Sequence, residues 1–347
     1  MLKPVLQDKR NQRILADVVR AYIDTGEPVS SRVIARRLPE PLSPATVRNV
    51  MADLEEEGYL YQPHTSAGRV PTAAAYRFFA QQATSAAELD PEDQKWIRQE
   101  LASARTPEEI MTRASHVLAT LSRGLGIIIS PPLGQVSLEF IRFLILPDNR
   151  LLVVLVSSGG RTRDKLLHLE RAFSQAELDE TAQYLNAEYH GWTLDAIRAD
   201  LQASLARDRE RCDSLRSDAL LLCDPALLGS DEPARIYVEG AAQIATAAEF
   251  ATEKELGELL GAIEERQQLV TLLTVCIESP EPVHVQIGVK EMGGAGEHLA
   301  LISAPYVYDE HSQGSLGVLG PMRMQYERAI TAVAYVAKLF GQTLSEK

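Results

Sequence analysis

Membrane spans, secretion signals, disulfide frameworks and metal centres all need residues that this sequence does not supply. No apolar run approaches the roughly 18 positions of a bilayer-spanning helix; the most apolar stretches are short and broken by polar side chains. The opening stretch MLKPVLQDKRNQRIL carries charge where a secretory signal needs an apolar segment, so a soluble, cytoplasmic chain without a membrane partner is expected. Only three cysteines occur, Cys212, Cys223 and Cys276, with no Cys-x-x-Cys pair and no histidine at metal-ligand spacing. Reduced, packed thiols are the expectation. The seven histidines are scattered, none three or four residues from another. Gly-x-Ser-x-Gly, Walker, Rossmann and His-Glu-x-x-His patterns are missing, so no enzyme and no bound cofactor or metal is expected. Internal repeats and low-complexity tracts are missing too.

Positive charge is in overall deficit. Nucleic-acid binders tend to be basic, and this chain is formally −13. The imbalance is uneven, however. Residues 1–79 hold 11 Lys and Arg against 9 Asp and Glu, leaving 24 against 39 for the remainder. Between positions 28 and 52, Arg32, Arg36, Arg37 and Arg48 stand against Glu40 alone. Phosphate contact depends on where cations sit rather than on the total, so a locally basic head on an acidic body is compatible with nucleic-acid binding.

That head has a readable local plan. Ile14, Leu15, Val18, Val19, Tyr22 and Ile23 form one apolar stripe, predicting a helix from about Asp8 to Asp24 that stops at Gly26 and Pro28. Ser30 and Ser31 open a short helix over SRVIARRL. Ser43 followed by Pro44 is a strong helix start, a hydroxyl cap before a proline whose missing N–H costs nothing there. Val47, Val50, Met51 and Leu54 then fall on one side of that third helix, with Ala45, Thr46, Arg48, Asn49 and Ala52 opposite. After Gly58, YLYQP and RVP around HTSAG read as two short strands and a turn. Three helices and a hairpin in about seventy residues is the winged helix-turn-helix plan.

Residues 76–120 read as proline-led helices that would make a connector. From Ile127 the pattern changes to a β-meander, LEFIRFLILPDNRLLVVLVSSGGRTRDKLLHL, with an Asp-Asn and a Gly-Gly turn. Helix returns over 172–228, strands over RIYVEG, VHVQIGVKE and LALISAPYVY, and MRMQYERAITAVAYVAKLF closes the chain as a helix. GGAGEH (293–298) reads as a mobile hairpin tip. Strands, a helical insert and strands again suggest one α+β domain interrupted by a helical module.

Three stretches, YIDTGEPVSSRVIARRL, SPATVRNVMADLEEEGYLYQPHTSAGRVPT and SAPYVYDEHSQGSLGVLGPMRMQYERAI, resemble the HrcA family of bacterial heat-inducible transcription repressors. They cover about a fifth of the chain and bracket nearly all of it. The resemblance implies an α+β multidomain fold: a winged helix-turn-helix over 1–75, a connector over 76–120, a GAF-like domain of 121–171 and 236–347, and an inserted helical dimerising domain over 172–235. It further implies a homodimer that binds an inverted-repeat operator upstream of chaperone genes, supported by a GroEL-type chaperonin and released on heat stress. The chain departs from the family pattern at Val50, where members usually carry Glu, and at Ala73 and Ala74, where they carry an Asp-Lys pair; the missing Lys weakens an expected phosphate contact near the wing.

Reading DNA requires a helix that fits the major groove and projects donors at base edges. Thr46, Arg48 and Asn49, near the N-terminal end of the third helix, are the base-contact candidates: Arg48 suits guanine O6 and N7, Asn49 adenine N6 and N7. The hydroxyls of Ser43 and Thr46 suit phosphate, aided by the helix N-terminus. Arg32, Arg36 and Arg37 are candidates for the backbone, as are His64, Thr65, Ser66 and Arg69 of the wing, where Gly68 is expected to supply a positive φ. Tyr59 and Tyr61 suit packing better than base stacking. Glu55, Glu56 and Glu57 must face away from phosphate. The plain alternative is a solvated helix face with Ser43 as a cap only. Two other classes stay open at this point: an RNA- or protein-docking module, and a ligand-sensing winged-helix regulator whose GGAGEH and HSQGSLG loops flank a pocket.

Overall fold

The apolar stripe near the N-terminus forms α1, Lys9–Thr25, with the Asp8 carboxylate capping its start by accepting from the Arg10 amide at 2.8 Å. Ile14, Leu15, Val18 and Val19 are buried, and the helix stops at Gly26, whose φ of 71° is the left-handed cap expected there. In the computed structural model of the chain the described residues are 4–345, apart from 40–41, 66, 84–88, 149, 158–160, 169–170, 208–213, 224–233, 246–260, 262–265, 278, 280 and 310–311. After α1 come α2, Ser31–Arg37, and α3, Pro44–Glu56. Strands β1, Leu60–Tyr61, and β2, Val70–Pro71, pair antiparallel. Three helices follow, α4 (Ala73–Ala83), α5 (Pro91–Ala102) and α6 (Pro107–Ser122), the last two started by Asp90 and Thr106 caps before prolines.

The body is built on two antiparallel sheets. Strands β3 (Leu125–Ile129), β4 (Leu138–Leu146), β5 (Arg150–Ser157) and β6 (Arg161–His168) lead into α7 (Gln175–Glu188), α8 (Leu194–Arg207) and α9 (Ser214–Leu222). Then come β7 (Ile236–Glu239), α10 (Ala241–Ala245), α11 (Arg266–Thr274), β8 (His284–Ile287), β9 (Leu299–Val307), β10 (Gln313–Pro321) and the closing α12, Tyr326–Ser345. The larger sheet runs β7-β3-β10-β9-β8 and the smaller β4-β5-β6. One face of the larger sheet, through Ile128, Ile302, Leu316 and Val318, joins a core that includes α6, α12, α4 and the three N-terminal helices. Its other face, through Leu125, Ile127, Leu301 and Leu319, packs on Ile244 of α10 and Leu269 and Leu273 of α11. No helix among the described residues is long and apolar enough to cross a membrane.

Two expectations need correction. The HSQGSLG stretch is not only loop: from Gln313 it is β10, the central strand, hydrogen-bonded to both β3 and β9. Glycine lowers strand propensity, but Gly314 lies beneath the Tyr306 ring, which a Cβ there would strike. GGAGEH is no bare hairpin tip, since Gly293–Gly296 makes a helical turn between β8 and β9. Strands and helices on either side of 172 share one core: Ile141, Phe143, Val153 and Leu155 of β4 and β5 pack with Leu178, Leu185, Ile197 and Leu222 of α7–α9. The meander therefore goes with the helices that follow it, and β3 alone of the first four body strands joins the larger sheet. Helix α6 covers the larger sheet.

Of the cysteines, Cys223 and Cys276 are buried and unpaired, and Cys212 lies outside the described residues. Burial pushes the Cys223 thiol up to about 12 and that of Cys276 up to about 11.

Candidate nucleic-acid interface

Ser43 starts α3 as its sequence suggests: its Oγ accepts from the Thr46 amide at 3.0 Å and lies 2.9 Å from the Thr46 hydroxyl. The two hydroxyls thus already serve the helix end. Val47, Met51 and Leu54 are buried, as is Val50, at 5% exposure; its apolar side chain belongs to the core rather than to the outer face. Ala73 and Ala74 are half-buried at the start of α4. Opposite the core side of α3, Arg48 and Asn49 are exposed and Thr46 half-buried. On α2, Arg32, Arg36 and Arg37 are exposed. Arg37 pairs with Asp24 at 3.4 Å, whereas Arg32, Arg36 and Arg48 have no ion-pair partner among the described residues. Such cations keep their full charge for an incoming anion.

The hairpin is fastened to these helices. Val29, just before α2, exchanges two backbone hydrogen bonds with Arg69, its amide donating at 2.9 Å and its carbonyl accepting at 2.8 Å. Gly68 makes this approach possible, and not by a positive φ as expected from the sequence: its φ lies outside that range, and a Cβ would stand 2.6 Å from the Pro28 oxygen. The Gln62 amide spans the hairpin, donating to the carbonyls of Thr65 at 3.0 Å and Ala67 at 2.9 Å. His64 and Thr65 are exposed at the tip, and Ser66 lies outside the described residues. Arg69 is half-buried and held by Glu55 at 2.8 Å, so it ties the hairpin to the C-terminal half of α3. Tyr61 turns toward the body, where it lines a cavity with Tyr22, Tyr76 and Met322.

Between these parts lies an open groove of about 450 Å³ lined by Ser30, Ser31, Arg48, Gln62, Thr65 and Arg69, among others. It brings the start of α2, the outer face of α3 and the hairpin together. Arg32, Arg36, Asn49 and His64 are not among its lining residues. Sequence reasoning missed Val29 and Gln62, and it saw Glu55 only as a carboxylate to be kept from phosphate. A pairing across fourteen residues leaves no periodic trace that could have signalled it.

An arginine-bearing helix face beside a hairpin, carried on an α+β body, is what a DNA-reading regulator requires, and comparison with known proteins gives that class its family. A family model described as the HrcA protein C-terminal domain matches residues 108–330. The heat-inducible transcription repressor HrcA of Geobacter sulfurreducens is 36% identical over 337 residues, covering 97% of this chain and 98% of that protein. Those of Methylococcus capsulatus and Brucella abortus are 37% and 35% identical, each with 96% of its own length covered and 98% and 97% of this chain. The chain belongs to the HrcA family of heat-inducible transcription repressors. A crystal structure of a hypothetical protein shares the fold at a TM-score of 0.62 over 98% of this chain, with 22% identity.

Proposed function

We propose that the chain is a homodimeric repressor of heat-shock chaperone operons, acting in the cytoplasm and reading an inverted-repeat operator through a winged helix-turn-helix over 1–75. The exposed Arg48 and Asn49 on α3, beside the groove, carry this reading. They sit at the N-terminal half of α3, the half that reaches base edges in helix-turn-helix docking. Arg32 and Arg36 hold phosphates and set register, and the tip residues His64 and Thr65 approach the backbone from the side. Arg69 positions the hairpin through Glu55 and contributes to DNA binding through that geometry. Membership of a heat-inducible repressor family supports release on heat stress, with a GroEL-type chaperonin supporting the active form.

We further place the GAF-like domain on the larger sheet with α6 and α12, and the inserted unit at 138–223. A second copy fits the outer face of β4–β6. Phe140 pairs with Val156, Leu144 with Leu152, and Leu152 with Leu166, so these side chains share the face turned away from α7–α9. Phe140 is 45% and Leu166 50% exposed there, apolar side chains on either side of an Arg142–Val154–Asp164 row, a mixed surface suited to burial between subunits. This puts the interface on the strands of the insert as well as its helices.

The test is selection of bound duplexes from a random library by the full chain, followed by footprinting on DNA upstream of chaperone operons with and without chaperonin. Recovery of an inverted repeat with half-sites spaced by whole helical turns supports the reading. Enrichment of no sequence, or preferential capture of RNA, overturns it in favour of a docking module.

A further inference from the structure

The segment MRMQYER, 322–328, which leads into α12, takes no part in the groove, yet it touches the N-terminal unit and the helices behind it at several points. Arg323 lies against Gly26, where a Cβ would collide with its guanidinium, and so sets a cation at the negative end of α1. Glu327 accepts from Arg20 of α1 at 2.7 Å. Arg20 in turn lies 5.6 Å over the Phe79 ring of α4. Tyr326 meets Tyr76 and Phe79, with centroids 6.1 and 6.2 Å away. Arg328 donates twice to the Asp93 carboxylate of α5, at 3.0 and 2.9 Å. Open clefts flank this seam. One of about 730 Å³ lies among Ala16, Gln82, Leu89 and Thr331, and another of about 380 Å³ beside Tyr22 and Arg323. Apolar contacts hold the head to the body, and these polar contacts bridge the two beside the clefts.

We propose that Arg323 and Glu327 form a clamp that fixes the angle of the head, as positioning residues for two-headed recognition, with Arg328 bracing α12 on α5. The inference rests on the DNA-reading proposal above. The clamp leaves the α3 face and the hairpin tip free, so it orients the reading surface without covering it. In a dimer, the second head gains from the first only if its angle matches the half-site spacing. A loosened clamp therefore costs two-headed binding and spares one-headed binding.

The experiment titrates the full chain, Glu327→Gln, Arg323→Gln and the charge swap Arg20→Glu with Glu327→Arg against two duplexes: the inverted repeat selected by the wild-type chain, and one half-site of it. The single variants are expected to lose roughly three- to fivefold on the repeat and less than about 1.5-fold on the half-site, with the swap recovering most of the Glu327→Gln loss. Equal affinity of variant and wild type for the repeat, or an equal loss on both duplexes, overturns the clamp. Spin labels at Asp53→Cys and Thr120→Cys give a reading independent of DNA. A wider distance distribution in Glu327→Gln than in wild type, narrowed again by the swap, supports the clamp, and equal widths refute it. A wild-type chain that binds neither duplex overturns the DNA-reading proposal instead, and the label distances then decide the clamp alone.

Discussion

Gly68→Ala is a one-carbon change with a consequence that can be worked out from the backbone around it. The added methyl carbon would stand 2.5 Å from the Val29 carbonyl carbon and 2.6 Å from the Pro28 oxygen. Both belong to backbone, which cannot swing aside as a side-chain end can. The hairpin must therefore move away from Val29, and the two hydrogen bonds between Val29 and Arg69 lengthen or break. At about 0.5–1.5 kcal/mol net for each, their loss costs roughly 1–3 kcal/mol of local stability. The groove widens as well, because Arg69 and Thr65 line it from the hairpin side and Ser30 and Arg48 from the other. Hydrogen exchange read at the Val29 and Arg69 amides should accelerate by roughly five- to 150-fold, the equivalent of that energy, while amides in the β4–β6 unit keep their rates. Operator affinity should fall with it. Wild-type exchange at Val29 and Arg69 in the alanine variant would show that Gly68 is not what lets the hairpin close on α2.

Other outcomes follow from the same geometry. Arg48→Ala should lose about 1–3 kcal/mol of discrimination at one base pair, seen as relaxed preference there in a panel of single-base operator variants. Arg36→Ala should instead weaken all duplexes alike and reduce the slope of log K against log salt by about one. Hydrogen bonds from the Ser174 backbone and hydroxyl hold the Glu177 carboxyl below the usual glutamate range. Its contribution to stability is then present above the ordinary value and lost as pH falls through the lowered one. Asp17 runs the other way, since burial raises its carboxyl against the pull of Arg20: its contribution is present below the usual aspartate value and lost as pH rises through the raised one. Urea midpoints across pH 3–7 should therefore show the wild-type advantage over Glu177→Gln growing with pH, and that over Asp17→Asn shrinking. Cys223 and Cys276, with thiols raised to about 12 and about 11, should resist alkylation at pH 8 until the chain is denatured.

The legible parts of the fold were those written in local chemistry. Ser43-Pro44 marks the start of α3, the stripe from Ile14 to Val19 gives α1, and the prolines before α5 and α6 mark their starts, because caps and periodicity act within a turn or two. The turn at Asp148 between β4 and β5 was legible for the same reason, its φ being 63°, while Asn149 lies outside the described residues. Long-range pairing was not. Nothing near Val29 announces its partner at Arg69, and β10 hides behind glycines that a close tyrosine ring requires. The meander's allegiance to α7–α9 is likewise set by which apolar face meets which, a choice that alternation alone leaves open. At the candidate interface, residue types named Arg48 and Asn49. The role of Arg69 emerged only once Glu55 was seen beside it.

We propose that this chain reads a two-fold DNA site through the outer face of α3. The most direct test is a footprint of the wild-type chain on its selected inverted repeat, repeated with Arg48→Ala and across a salt series. Two protected half-sites related by a dyad are expected, with a steep fall of log K with log salt and loss of sequence preference in the Arg48 variant at one symmetric position in each half-site. Protection that is the same for scrambled DNA, or an Arg48→Ala footprint with wild-type preference at every base, would contradict it.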